Sequence, residues 1–329
     1  MIPTSTIAPG PEEVGDARRR RRGPSRLSLA GTVISVLAVA GVVWWALRQE
    51  PPQFPDSPAE WGALVGAVAL YALATLVRGE RWHSLLRAEG AQPTRADSQG
   101  INVVGYAGNN ILPARAGDAV RVFLMAPRAR ASKKAVLGTL LAERLLDIAV
   151  ILTLFVIVGY GLLGEVGAGD VEWIGLATVV VIAVAVAAVL LVRRNERLHA
   201  LTAPILSSTL QLRGRHVLRL LAATVLIWAI EAGVWMSVGA AAGFPMNPIE
   251  GCYIVALASV FALIPSGPGY AGTQDAAAIT GILALGGTDS QAVTYLILVR
   301  FVIAVPITVV GLGLAAFHYG GLRSLRPAR

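Results

Sequence analysis

The sequence predicts an all-α, polytopic integral membrane protein with about six full spans and two opposed re-entrant broken-helix hairpins. Three observations carry that expectation. First, 55% of the 329 residues are hydrophobic, only 15% are charged, and the mean hydropathy is +0.64. Soluble domains are typically about 25% charged. Second, several continuous apolar runs approach the roughly 20 residues that span a bilayer. Continuous runs, as opposed to alternation, exclude a β-barrel. Third, polar, helix-breaking segments interrupt this apolar background twice. One is Asn109-Asn-Ile-Leu-Pro113-Ala-Arg115-Ala-Gly117-Asp118-Ala-Val-Arg121. The other is Ile264-Pro265-Ser-Gly267-Pro-Gly269-Tyr-Ala-Gly272-Thr-Gln-Asp275. Charge at bilayer depth is expensive. Broken backbone there must be buried in protein or line a wet cavity.

The remaining composition narrows the function classes. One cysteine, Cys252, allows no intrachain disulfide. The net charge of +8 is concentrated in loops. It therefore reports topology, and nucleic acid is not expected as a partner.

The elements follow from charge and hydropathy in order. Residues 1–26 form a polar, basic tail with consecutive arginines at 18–22, expected to be disordered and cytoplasmic. Leu27–Leu47 crosses outward and ends in Trp44-Trp45, an interfacial anchor. Trp61–Val77 returns. The loop Arg78–Arg95 is basic and so cytoplasmic. Asp97–Ala126 starts and ends beside basic loops, which fits a hairpin that dips in, breaks at Gly108–Gly117 and returns. Two short spans of about a dozen residues each are the competing reading, and they are short for the hydrocarbon core. Ala135–Leu163 crosses outward, Trp173–Val192 returns, and Arg193–Arg219 is a basic cytoplasmic loop. Val217–Ala242 crosses outward again. Gly251–Gly287 then enters and leaves on the outer side, broken at Pro265–Gly272. Ser290–Phe317 reaches a basic cytoplasmic tail at 319–329, so 27–318 is one transmembrane domain with both termini cytoplasmic.

Two opposed breaks resemble an inverted-repeat transporter core, whose substrates bind near the midplane at half-helix ends. The expected breakers are Pro113 in the first hairpin and Pro265, Gly267, Gly269 and Gly272 in the second. Around the first break, Gly117 is expected to supply an unusual backbone angle and Asp118 to cap the following helix. With Asn110, Arg115 and Arg121, these residues form a candidate lipid or anion site, because a helix start and two guanidinium groups suit phosphate. The competing reading is an Asp118–Arg121 pair at i and i+3 that satisfies a buried break.

Glu143-Arg144-Leu-Leu-Asp147 places two carboxylates on one helical face, with Arg144 three residues from Asp147. It reads as a headgroup or proton site, or as a neutralised packing cluster. Glu231 lies mid-span and Arg300 within the last span. They are plausible partners for each other or for that cluster. Arg81 sits at a membrane boundary, where snorkelling is expected. No nucleotide loop, no Gly-x-Ser-x-Gly nucleophile and no His/Cys spacing for metal occurs in the sequence. No catalytic residue, metal or cofactor is therefore assigned.

The motif Gly108–Arg121, then Glu143-Arg144-Leu-Leu-Asp147, then Pro265-Ser-Gly-Pro-Gly269-Tyr-Ala-Gly272-Thr resembles the lysylphosphatidylglycerol synthase transmembrane-region family, also called flippase-like or UPF0104. The resemblance covers roughly residues 30–318. It implies a bacterial inner-membrane protein associated with moving lipids between leaflets. Two-domain members append a soluble aminoacyl transferase. This chain ends at Arg329 without room for it, so the membrane half alone is expected.

The function expected is binding of an anionic phospholipid or polyprenyl-phosphate-linked headgroup and assistance in its movement between leaflets. The alternatives are a membrane scaffold for a separately encoded transferase, and an enzyme acting on a lipid phosphate.

Overall fold

The computed structural model describes residues 37, 39–49, 51–112, 115–162, 214–262, 269 and 271–320. Every regular element among them is helical. They are α1 (Pro58–Ala88), α2 (Arg95–Ile111), α3 (Ala116–Arg128), α4 (Lys133–Leu162), α5 (Arg215–Ala241), α6 (Pro248–Phe261), α7 (Thr273–Ala284) and α8 (Asp289–Phe317). Among the described residues, α1, α5 and α8 are long and apolar enough to cross a membrane.

Local sequence sets the helix starts. Ser57 accepts from the Glu60 amide at 3.2 Å, and the Glu60 carboxylate accepts from the Ser57 amide at 3.3 Å. Pro58 follows at the first helical position, where its missing N–H is harmless. Asn247 with Glu250 and Thr288 with Gln291 build the same reciprocal cap at α6 and α8.

Two cores hold the bundle. Trp235, Val238, Ile254, Ile282, Tyr295 and Val302 pack where α5, α6, α7 and α8 meet. Trp82, Leu86, Ile101, Met125 and Val136 join α1 to α2, α3 and α4. Tyr319, expected in a tail, is 3% exposed and belongs to this second core.

Several expectations change. The basic segment from Arg78 is not a loop. α1 continues through it to Ala88, because Arg78, Arg81 and Leu85 follow Ala74 on its inward face at helical spacing. The interruptions do fall where expected: Asp97–Ala126 holds two helices, α2 and α3, and Gly251–Gly287 holds α6 and α7. Most of Leu27–Leu47, all of Trp173–Val192, and the breakers Pro113, Pro265 and Gly267 lie outside the described residues.

Candidate functional site

α2 and α3 turn back on each other at very short range. A Cβ added to Gly117 would collide with the Gly105 carbonyl oxygen and the Asn109 amide nitrogen. Gly117 is therefore required for close approach, and its backbone is helical. The expected unusual angle falls instead on Arg115, at φ 54° and ψ 37°, immediately before α3. That left-handed conformation costs a non-glycine residue about 1–2 kcal/mol. Arg115 is held there partly by its side chain, which donates to the Ala262 carbonyl at 2.7 Å. Ala262 caps the C-terminus of α6. The first break is thus tied directly to the start of the second.

Asp118 does not cap α3 from the position before it, and it does not pair with Arg121. It sits in the first turn, where the helix dipole favours an anion. There it accepts from Asn109 Nδ2 at 3.2 Å and from Arg144 Nη2 at 3.1 Å. Arg121 turns the other way, donating to Glu143 at 2.8 Å and stacking over Trp82 with 4.0 Å to the ring centroid. The adjacent residues Glu143 and Arg144 on α4 therefore grip oppositely charged residues one turn apart on α3. Asp147 reaches to α1. It accepts twice from Arg81, at 2.6 and 3.1 Å, and Arg81 also donates to Thr224 at 2.9 Å. Arg81 is 3% exposed, so the snorkelling expectation is overturned.

The second break is built alike. Gly269 and Gly272 both take positive φ, 61° and 93°, as breakers should. Asp275, in the first turn of α7, accepts from the Gly272 amide at 2.8 Å and from Arg300 Nε at 2.5 Å. Arg300 also donates to the Gly269 carbonyl at 2.5 Å. Arg300 is thus engaged with the break. Glu231 takes Arg78 as its partner instead, at 2.5 Å between α1 and α5.

Both breaks face one cavity of about 270 Å³. Its charged walls are Arg78, Arg115, Arg144, Asp147 and Glu231, with Asn110, Gly269 and Gln274 beside them. Tyr71, Tyr106, Trp228 and Trp235 supply the aromatic part. Asn110 is fixed to α8 by a 3.0 Å bond to Thr308. Of the expected anion-site residues, Asn110 and Arg115 reach this cavity. Gly117, Asp118 and Arg121 stand behind it, shaping the α2–α3 turn and locking α3 to α4. Arg78 and Gln274 were not singled out from sequence. The signal for Arg78 was the apolar stripe of α1, which continues past it at helical spacing. A larger hollow of about 730 Å³ beside His83, Arg87 and His216 is more open and holds none of these buried pairs.

The polar groups line a partly open chamber among apolar helices. Three arginines and two carboxylates thus face one cavity inside a helical multi-pass membrane protein. The sequence matches the model of the lysylphosphatidylglycerol synthase TM region over residues 29–311, and the chain belongs to that family. It is also 29% identical over 152 residues to the glycosyltransferase AglD of Haloferax volcanii. That match takes in 46% of this chain and 24% of the relative, so the chain spans about a quarter of that protein's length.

Proposed function

We propose that the chain binds the phosphate-bearing headgroup of an anionic lipid in the cavity between its two breaks and assists the lipid's movement between leaflets. The observation that carries this reading is the bond from Arg115 at the first break to the Ala262 carbonyl at the second. It places a guanidinium on the wall of a chamber that both breaks share. An arginine fork suits phosphate, while Arg78 and Arg144 on the same wall are each paired with a carboxylate, Glu231 and Asp118.

The two breaks are proposed to be tips of re-entrant hairpins entering from opposite faces, among about six full spans. Helix lengths support this. The 17 residues of α2 and 13 of α3 rise about 26 and 20 Å, short of the roughly 30 Å hydrocarbon core. The 14 and 12 residues of α6 and α7 are shorter than α2 as well. Basic termini on the cytoplasmic side of a bacterial inner membrane complete the topology.

A second reading is a membrane partner for a separately encoded lipid-modifying transferase. The match to a quarter of a protein named as a glycosyltransferase favours it. Copurification of a soluble transferase with the tagged full chain would support it.

Direct binding tests the main reading. A short-chain anionic phospholipid should bind purified protein, and Arg115→Lys should weaken binding about tenfold by losing the planar fork. Unchanged binding by a folded Arg115→Ala protein would move the site elsewhere.

A further inference from the structure

The eight helices form two sets of four that pack alike. The starts of α1 to α4 and of α5 to α8 differ by 157, 153, 157 and 156 residues in turn. Neighbours match as well. α2 lies on α8 as α6 lies on α4, α1 meets α4 as α5 meets α8, and α1 packs on α5. Equivalent places in the two sets nevertheless differ in how firmly the first arm of each hairpin is held.

α2 is pinned. Gln99 and Asn102 donate to the Leu76 and Thr75 carbonyls of α1, at 3.0 and 3.4 Å, and Asn110 donates to Thr308 of α8. A Cβ added to Gly311 of α8 would collide with Ala107 and with the Val103 carbonyl oxygen, so the two backbones touch. At the equivalent places in the other set, Phe155 of α4 stands for Gly311 and Gln274 of α7 stands for Gly117. The helical glycines Gly251 and Gly281 have side chains, Met236 and Ile254, as their nearest neighbours. Among the described residues, the one polar bond from the α6 arm to another element lies at its C-terminal cap, where the Ala262 carbonyl accepts from Arg115. In a bilayer, apolar contact between helices exchanges readily for contact with lipid, so close backbone packing and interhelical hydrogen bonds decide which helices stay together. By that measure α2 is fixed, and α6 is held by a single latch.

The chamber also requires a side opening if it is to take a lipid. At about 30 Å³ per water, 270 Å³ holds the equivalent of about nine waters, which is room for a headgroup and not for acyl chains. The tails must stay in the bilayer while the headgroup enters. Ile148 and Ile151 of α4 and Val255 and Ser259 of α6 line the chamber on the two sides of the α4–α6 seam.

We infer that α6 is the mobile wall of the chamber, and that the α4–α6 seam opens sideways when Arg115 lets go of Ala262. The trigger rests on the anion-binding reading. A phosphate that draws the Arg115 guanidinium into the chamber favours the released state, because a ligand shifts a conformational equilibrium by its differential affinity for the two states. One residue then recognises the headgroup and unlatches the wall, while α2 and α8 stay together.

Distances between paired spin labels test this in the full chain carrying Cys252→Ala. Cysteines at Thr153 and Ile249 report across the α4–α6 seam. Cysteines at Val309 and Ala96 occupy the equivalent places on α8 and α2, and all four positions are exposed. The protein is held in phosphatidylcholine nanodiscs with or without phosphatidylglycerol, and thermal melting checks folding. In phosphatidylcholine alone, Arg115→Ala should lengthen the first distance by about 5 Å, the scale of a one-turn displacement, and leave the second within about 1–2 Å. Phosphatidylglycerol should do the same to the chain that keeps Arg115. An equal change in both pairs, or no change across the α4–α6 seam in folded Arg115→Ala, overturns the mobile wall. If Arg115→Ala opens the seam and phosphatidylglycerol does not, the wall stands and the anion-binding reading falls. Should Arg115→Ala fail to fold, Arg115→Gly decides, because it removes the same bond and relieves the left-handed angle.

Discussion

Asp118 is bound by Arg144, 26 residues further along the chain, much as Asp275 is bound by Arg300, 25 residues on. Each aspartate is the third residue of the helix that follows a break, and each arginine comes from the long helix beyond it. The two halves thus close their breaks with the same device. A double-mutant cycle measures it. Asp118→Asn with Arg144→Gln, and Asp275→Asn with Arg300→Gln, should each show a coupling of about 0.5–3 kcal/mol in thermal stability. Asp118→Asn combined with Arg300→Gln, which share no direct bond, should be additive within about 0.5 kcal/mol. Coupling of equal size in the mixed pair would deny that the two clamps are separate units.

Gly117 and Gly62 separate packing from helix propensity. Nothing lies within 4 Å of a Cβ added to Gly62, whereas one at Gly117 meets backbone on α2. Gly62→Ala should leave the melting temperature unchanged or raise it, since alanine is favoured over glycine in helices by about 1 kcal/mol. Gly117→Ala should lower it by several degrees, because the α2–α3 turn must spread. Matching effects at both sites would show that the close approach is dispensable.

Arg81 tests the buried layer. Its guanidinium serves Asp147 and Thr224 and lies 3.8 Å from Glu143. Arg81→Ala should destabilise the fold by about 3–5 kcal/mol, because it leaves buried charge uncompensated. Arg87→Ala, at an exposed position in the last turn of α1, should stay within about 0.5 kcal/mol of wild type. Near-neutral melting of Arg81→Ala would restore the snorkelling expectation.

Arg115 combines a backbone strain with a side-chain contact, and two substitutions divide them. Arg115→Gly and Arg115→Ala both remove the bond to Ala262 and should weaken anionic-lipid binding alike. Glycine relieves the left-handed angle, so Arg115→Gly should be more stable than Arg115→Ala by about 1–2 kcal/mol. Equal melting temperatures would mean that the backbone relaxes out of that conformation.

Much of the architecture was legible in the sequence because apolar runs and breakers are one-dimensional signals. The two breaks, the helices that flank them and the family were all readable that way. The pairing of charges was not. Arg144 lies three residues from Asp147 and Asp118 three from Arg121, so local spacing favoured partners on the same helix. The structure pairs all four across helices instead, because α3 and α4 bring their charged faces together. Arg78 and Arg81 were placed in a loop because charge was read as solvation. On a helix that continues inward, with carboxylates waiting on α4 and α5, the same charges are buried.

Reagent access checks the proposed topology. In a Cys252→Ala background, single cysteines at Arg130 and Arg215 should react only with membrane-permeant reagents. One at Asp289, at the start of α8, should react with impermeant reagents in intact cells. All three positions are exposed, so packing does not shield them. Labelling of the Arg130 site from outside would remove the first hairpin from the cytoplasmic face.

Leaflet-resolved movement of a labelled anionic phospholipid in proteoliposomes tests the central claim most directly. The account predicts that the purified full chain speeds transfer between leaflets well above protein-free vesicles. Folded Arg115→Ala should lose most of that acceleration, while Arg87→Ala retains it. Acceleration that survives intact in folded Arg115→Ala, or wild-type protein no faster than empty vesicles, would contradict it.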